Sequence, residues 1–291
     1  VGEAGPAVRG HQLLFGKIFV DGTTAYLTYV ASDEVSIGYM TADTSDPHNW
    51  TDQGTIFTAA AACRSARLVK SGSTWYLYYD VRAGGIRVAT GASPASLSDY
   101  GSNPILSGSG TGWETFVRHP FVLTPAETHD GGWHMLYDGR DNTSTSGIGA
   151  VGHATSADGL SWTRDTANNP VLSPTGDETF EGGDCAEPSA YWDGSNYHVF
   201  WAGFYLHPVA ASTFPHHIGA GTSSDLTSVT RGNGNPILPL SQDAADFDCI
   251  ATVAPSPYAP GDGSFHLYYA GFEVTPTYKL GYASRRNGVG P

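Results

Sequence analysis

This sequence predicts an all-β fold, a five-bladed β-propeller of four-stranded antiparallel blades, from three recurring features. An Asn-Pro-aliphatic-Leu close stands at Asn103-Pro104-Ile105-Leu106, Asn169-Pro170-Val171-Leu172 and Asn235-Pro236-Ile237-Leu238, successive copies lying 66 residues apart. Aromatic runs recur at 26–29, 75–79, 133–137, 197–201 and 265–269. A strand of small residues follows each run, as in Ile37-Gly38-Tyr39, Ile148-Gly149-Ala150 and Ile218-Gly219-Ala220. A fixed period of this kind is the mark of a repeat architecture, and short strands with aromatic motifs point to a propeller.

Each unit reads as four strands. The first precedes a turn such as Asp193-Gly194, the second is the aromatic run, the third is the small-residue strand, and the fourth ends at the Pro-aliphatic-Leu close. In the first unit, Thr55-Ile56-Phe57 takes the closing place. The expected blades are 11–57, 63–106, 113–172, 180–239 and 247–286, in one domain over 1–291. The last unit lacks a fourth strand, so residues 1–9 are expected to lie against it and close the ring. Small residues of the third strands are expected to let neighbouring blades approach. A two-sheet sandwich competes with this reading but gives no reason for the 66-residue recurrence. No apolar stripe of helical period runs for twelve residues.

Composition narrows the function classes. Asp and Glu number 28 against 14 Lys and Arg, a net charge of −14. Nucleic acid is excluded as a partner, because phosphate binding needs clustered cations. No apolar run is long enough for a membrane span. Cys63, Cys185 and Cys249 form no Cys-x-x-Cys pair, which excludes a zinc ribbon; one disulfide with a free thiol, or three buried thiols, remain open. No signal-peptide pattern is visible, and a chain beginning at Val1 without Met reads as either a processed mature chain or a trimmed one. Asn49-Trp50-Thr51 and Asn142-Thr143-Ser144 fit the glycosylation sequon. An extracellular or cell-surface location is expected.

In a propeller, the starts of first strands and the ends of second strands meet on one face around the axis. Aligning the turns places Phe15, Ser65, His119, Glu187 and Ala254 at equivalent first-strand starts. The pairs His119-Pro120, Glu187-Pro188 and Ala254-Pro255 support that register, as do Phe180-Glu181 and Phe247-Asp248. Second-strand ends add Asp80, Asp138, Ala202 and Ala270. Arg82, Arg140, Asp141, Phe204 and Glu273 lie beside them, and His216 and His217 open a third strand. Adjacent strand residues point to opposite faces, so only one of those two histidines can reach the axis.

The stretch Ile148-Gly149-Ala150-Val151-Gly152-His153-Ala154-Thr155-Ser156-Ala157-Asp158-Gly159-Leu160-Ser161-Trp162-Thr163, with Asn169-Pro170-Val171-Leu172, Glu187-Pro188-Ser189 and strands ending in Tyr-Asp-Gly or Trp-Ala-Gly, resembles the five-bladed propellers of the glycoside hydrolase superfamily that includes families 32, 43 and 130. The resemblance spans nearly the whole chain. It implies Glu187, in the fourth blade, as general acid. Where those families often show Arg-Asp-Pro in the third blade, this chain has Arg118-His119-Pro120, and the first-blade nucleophile position falls near Phe15. Glycoside cleavage needs a protonated and an ionised carboxyl group, about 5–5.5 Å apart in retaining and about 6.5–9.5 Å apart in inverting enzymes.

The second carboxylate is therefore expected from Asp80, Asp138 or Asp184. Trp201 and Phe204 are expected to form the apolar surround that raises the Glu187 pKa. Arg118, His119, Arg140, Phe204 and Trp113 are the candidates for binding sugar, Arg118 or His119 taking a hydroxyl or a carboxylate. The resemblance also allows an axial calcium ion, which His119 or His217 could reach; no cofactor is required.

Each candidate has a plainer role. Glu187 can bond backbone N–H groups around the axis, Asp80 and Asp138 can hold turns or ion pairs, His119 can be a bonded core histidine, and His153 and His198 read as structural. Two function classes follow. One is a secreted carbohydrate-active hydrolase; the other is a non-catalytic glycan-binding or surface-assembly propeller that lacks the nucleophile. Loop 205–217 is long and apolar enough to serve as a lid or to meet an assembly partner.

Overall fold

The computed structural model describes residues 3–4, 14–46, 49–82, 84–141, 148–177, 179–205, 216–238, 240–241, 243, 246–260, 264–272 and 278–285. Among them the chain is all-β, with no α-helix and three short 3-10 turns at Pro94–Ser96, Gly112–Glu114 and Pro125–Glu127. Strand β1 (Glu3–Ala4) comes first. β2 (Leu14–Asp21), β3 (Thr24–Val30), β4 (Ser36–Asp43) and β5 (Thr51–Thr58) form an antiparallel meander. β6 (Ala66–Ser71), β7 (Thr74–Val81), β8 (Gly85–Gly91) and β9 (Ser98–Asp99) form the next.

Three further meanders follow: β10 (Phe116–Leu123) to β11 (Trp133–Arg140), β12 (Gly149–Ser156) and β13 (Trp162–Arg164); β14 (Asp184–Trp192) to β15 (Tyr197–Phe204), β16 (His216–Ser223) and β17 (Thr230–Arg231); and β18 (Ala251–Tyr258) to β19 (Phe265–Phe272) and β20 (Tyr278–Arg285). Single parallel pairings, Gly149 with Asp184 and His216 with Ala251, join these three, together with β1, into one twelve-stranded sheet. β1 pairs antiparallel with β20, Glu3 opposite Tyr282 and Ala4 opposite Gly281. The rest of 1–9 lies outside the described residues. First strands touch in a cycle: β2 meets β6, β6 meets β10, β10 meets β14, β14 meets β18, and β18 meets β2. They therefore surround an axis.

The sequence markers have physical causes. Asn103, Asn169 and Asn235 each turn the side-chain amide onto one residue of the third strand, accepting its N–H and donating to its C=O: Val88, His153 and Ala220 respectively. The residue three places on, Leu106, Leu172 or Leu238, then pairs with that strand. The side chain replaces a missing ladder rung, so two backbone groups stay satisfied at the outer edge.

Third-strand glycines serve two purposes. A Cβ at Gly38, Gly152, Gly219 or Gly281 would overlap Tyr29, Tyr137, Trp201 or Tyr269, each from the neighbouring strand of the same meander, so these four admit a ring within it. At Gly149 a Cβ would overlap Asp184, so there the missing side chain admits the next meander, as expected. Each ring donates to a carboxylate: Tyr29 to Asp52, Tyr137 to Glu114, Trp201 to Glu181 and Tyr269 to Asp248. Arg164 and Arg231 pair with Glu114 and Glu181 and also donate to the carbonyls of Ser107 and Ser173, which follow the preceding closes.

Cys63, Cys185 and Cys249 form no disulfide, which removes that option; Cys63 and Cys185 are buried. Burial pushes the Cys63 thiol up to about 12, so it behaves as a small apolar side chain.

Candidate functional site

The first strands carry a repeated defect at their inner ends. Pairing with the second strand slips between Leu14 and Lys17, Arg118 and Phe121, Ala186 and Ser189, and Val253 and Ser256. Each slip is a bulge that leaves two residues unpaired and re-aims their side chains. The first bulged residues are Phe15, His119, Glu187 and Ala254, the positions aligned from the sequence. His119, Glu187 and Ala254 have φ of 49°, 54° and 52°, a left-handed backbone that non-glycine residues seldom adopt. Strain of this sort persists only where the surroundings hold it. The β6–β7 pair shows no slip. The Phe15 side chain lies outside what is described.

Carboxylates hold the strained backbone. Asp80 accepts the N–H groups of Arg64 and Ser65 at 2.8 and 2.9 Å, and that of His119 at 3.3 Å. Asp138 does the same for the next meander, accepting the Glu187 N–H at 3.3 Å. Ala202 occupies the equivalent place in the meander after that and offers no oxygen. There Glu187 itself accepts the Ala254 N–H, at 2.6 Å.

Around these bonds sits a buried charged cluster. Asp138 is wholly buried; His119 Nδ1 bonds one of its oxygens, and Arg118 lies 3.4 Å from the other. Arg140 sits 3.7 Å from Asp138 and pairs with Asp184. Lys17, on β2, donates to the carbonyls of Pro255 at 3.1 Å and of Glu187 and Pro188 at 3.4 Å. Sequence reasoning missed Lys17, although a single Lys in the apolar run Leu14–Val20 was the available signal.

The environments push these groups apart. Burial drives the Glu187 carboxyl above the usual range, against the opposing pull of His119 and Lys17. Asp138 is also desolvated, but His119 and Arg118 outweigh that and bring it down to about 2. Burial would lower His119, yet its bond and charge contact with Asp138 raise it on balance. Burial lowers Lys17 to about 7, with Glu187 opposing the fall. Burial first, then the Asp138 charge, lifts Asp184 well above the ordinary carboxylate range.

The remaining candidates are placed as follows. The Phe204 ring stands between the Arg140 guanidinium, 5.3 Å away, and the His216 ring, 3.6 Å away. His217 turns the other way, edge-on to Phe180 and Tyr205. Among the described residues, no group of three or more His, Cys, Asp or Glu side chains could hold a metal ion, so His119 and His217 belong to none. Trp113 covers Gly139 and stacks on Tyr137, while its neighbour Glu114 takes the Tyr137 hydroxyl. Phe180-Glu181 and Phe247-Asp248 do the same for Gly203 with Trp201 and Gly271 with Tyr269, so Trp113 occupies a fold position that recurs.

Trp201 donates its indole N–H to Glu181, and burial is the largest cause of the raised Glu187 pKa. His153 is buried and bonded to His134, and His198 pairs with Asp193. Arg82 and Asp141 are exposed; Glu273, residues 206–215 of the long loop and the sequon at Asn142 lie outside the described residues.

No family model matches the chain, and no curated protein matches it. Solved structures do. A thermostable family-43 glycoside hydrolase superposes with a TM-score of 0.74 at 14% identity, over 99% of this chain and 96% of the other. An endo-1,4-β-xylanase from Bacteroides thetaiotaomicron gives 0.67 at 14% identity, over 96% and 95%. An endo-arabinase from the same organism gives 0.65 at 14% identity, over 99% of each chain. At such identities the likeness is one of fold alone: the chain has the β-propeller fold that these enzymes have.

Proposed function

We propose that this chain is a secreted carbohydrate-active propeller whose glycan meets the axis at the Glu187 end. In this reading the meanders are five blades of one domain, and the segment around β1 closes the ring by completing the last blade. The cycle of contacting first strands supports that count. The structural neighbours named for glycoside hydrolysis, xylan and arabinan make a glycan the first substrate class to try.

One observation carries the chemistry: two neighbouring carboxyl groups are pushed in opposite directions, Glu187 up and Asp138 down to about 2. Such a pair supplies a proton donor and a fixed negative charge at the same pH. Glu187 then protonates the leaving oxygen. Asp138 keeps His119 charged and helps hold the proton on Glu187. Arg118, whose Nε has no hydrogen-bond partner and whose side chain is 14% exposed, is placed to meet a sugar oxygen. Asp80 belongs to the scaffold, since backbone N–H groups take both its oxygens.

A second reading, a glycan-binding propeller without hydrolysis, is favoured by the state of Asp138. It has no exposure and both its oxygens are engaged, so it cannot attack a sugar or activate water directly.

The deciding experiment assays reducing-end release from arabinan, xylan, fructan and mannan fragments. Hydrolysis by the wild type, cut about 10²–10⁴-fold in Glu187→Gln, supports the first reading. Saturable glycan binding that Arg118→Ala weakens, with no turnover, supports the second. Neither turnover nor binding defeats both.

A further inference from the structure

The axis has a second mouth. The inner halves of β2, β10, β14 and β18 hold the Glu187 cluster, and the far halves of the same strands enclose a cavity of about 210 Å³. Its walls include Arg67, Phe121, Glu127, Tyr191, Trp192 and Tyr258. In register along the first strands, Arg67 and Lys17 occupy the same level as Phe121, so this layer separates the two mouths. The Arg67 guanidinium lies 3.6 Å from the Phe121 ring centre and Lys17 Nζ lies 5.6 Å from it.

The guanidinium at this mouth is only partly satisfied. Arg67 is 2% exposed, and its Nη2 bonds Glu127 at 2.7 Å. Its Nε and Nη1 are buried without hydrogen-bond partners. A desolvated guanidinium with unmade bonds is costly. Glu127 compensates only in part. It is 28% exposed, one oxygen serves Arg67, and the other accepts the N–H and hydroxyl of Thr124. Lys17, behind Phe121, turns its Nζ to the carbonyls of Glu187, Pro188 and Pro255, so Arg67 is the cation that faces this cavity. Guanidinium is the side chain best matched to a carboxylate, in a two-bond fork.

The walls are partly exposed aromatic faces, Tyr191, Trp192 and Tyr258. The volume is below the roughly 300–1,000 Å³ of sites for drug-sized ligands, which limits the occupant to about one ring. We propose that this cavity binds a single carboxylate-bearing sugar, a hexuronate, with its carboxylate on Arg67 and its ring against Trp192. The site is separate from the one assigned above, and its occupancy does not depend on hydrolysis.

Titration calorimetry with D-glucuronate and D-galacturonate, against glucose, galactose and acetate, tests the assignment. One uronate binds saturably in the millimolar range or tighter, and its neutral parent and acetate bind at least about tenfold more weakly. Arg67→Met and Trp192→Ala each weaken the uronate about tenfold or more, while Glu187→Gln leaves this binding unchanged. Trp192→Ala covers the case in which Arg67→Met fails to fold. The proposal is overturned if neither uronate saturates at tens of millimolar, if acetate binds as well as the sugar acid, or if Glu187→Gln rather than Trp192→Ala removes the binding.

Discussion

At the outer edge of the blades, Asn103, Asn169 and Asn235 make the same two bonds to the same place on the third strand. At the inner edge, His119, Glu187 and Ala254 share a left-handed backbone and a bulge but differ in side chain. Outside, backbone and side chain repeat together, because the side chain itself closes the ladder. Inside, only the backbone repeats. A carboxylate from somewhere must cap the strained N–H, and what the bulged residue carries is otherwise free to vary. The inner edge is therefore where chemistry can change without loss of the fold.

The sharpest test of that contrast is Glu187→Gln. The amide oxygen still accepts the Ala254 N–H, but the side chain no longer donates a carboxylic proton. Turnover, where the wild type shows it, falls about 10²–10⁴-fold, or about 3–5 kcal/mol in barrier. Stability changes by under about 1 kcal/mol in urea unfolding. A loss of several kcal/mol in stability would instead make Glu187 a scaffold residue.

Acid acts on the outer half of the third meander. His153 is buried against His134, with Asp165 at 3.6 Å and the Asp225 charge nearby; Asp130 faces His134 from the other side. Burial first, and then His134, lowers His153 from 6.5 to about 4. The unfolded chain therefore takes up a proton below pH 6.5 that the folded chain refuses until about pH 4. Stability present above pH 6.5 is lost as pH falls through this window, by about 3 kcal/mol for this group. His153→Gln flattens the melting-temperature profile between those limits; an unchanged slope would assign the acid sensitivity elsewhere.

An outer-edge test follows from the clamp. Asn169→Ala leaves the His153 N–H without its acceptor, while the His153 C=O keeps the Asp165 N–H, and costs about 1–3 kcal/mol by urea unfolding. Activity per folded molecule stays at the wild-type level. An equal fall in both would show that the two edges are coupled.

The outer edge was legible in the sequence because its side chains are spent on geometry that recurs, so Asn-Pro-aliphatic-Leu appears three times at one spacing. The inner register was legible too, through His119-Pro120, Glu187-Pro188 and Ala254-Pro255. The charged layer was not. Lys17 and Arg67 stand in strands that otherwise read as apolar or mixed, and only the closure of the ring brings them to one level. Trp113 read as a rim aromatic, yet Trp113-Glu114 matches Phe180-Glu181 and Phe247-Asp248, a pairing that marks a fold position.

The smallest effect is the most specific to the inner edge. Asp80 and Asp138 cap the bulges that follow them, whereas Ala202 cannot, and Glu187 caps Ala254 instead. Glu187→Ala should then cost about 1–2 kcal/mol through the stranded Ala254 N–H. Adding Ala202→Asp restores the arrangement found in the two preceding blades and recovers about 1 kcal/mol of that loss, without restoring turnover. The same substitution in the wild type gains nothing, because the N–H is already bonded. A double variant no more stable than Glu187→Ala alone would show that the cap is not what holds the bulge, and that the left-handed backbone there is set by packing.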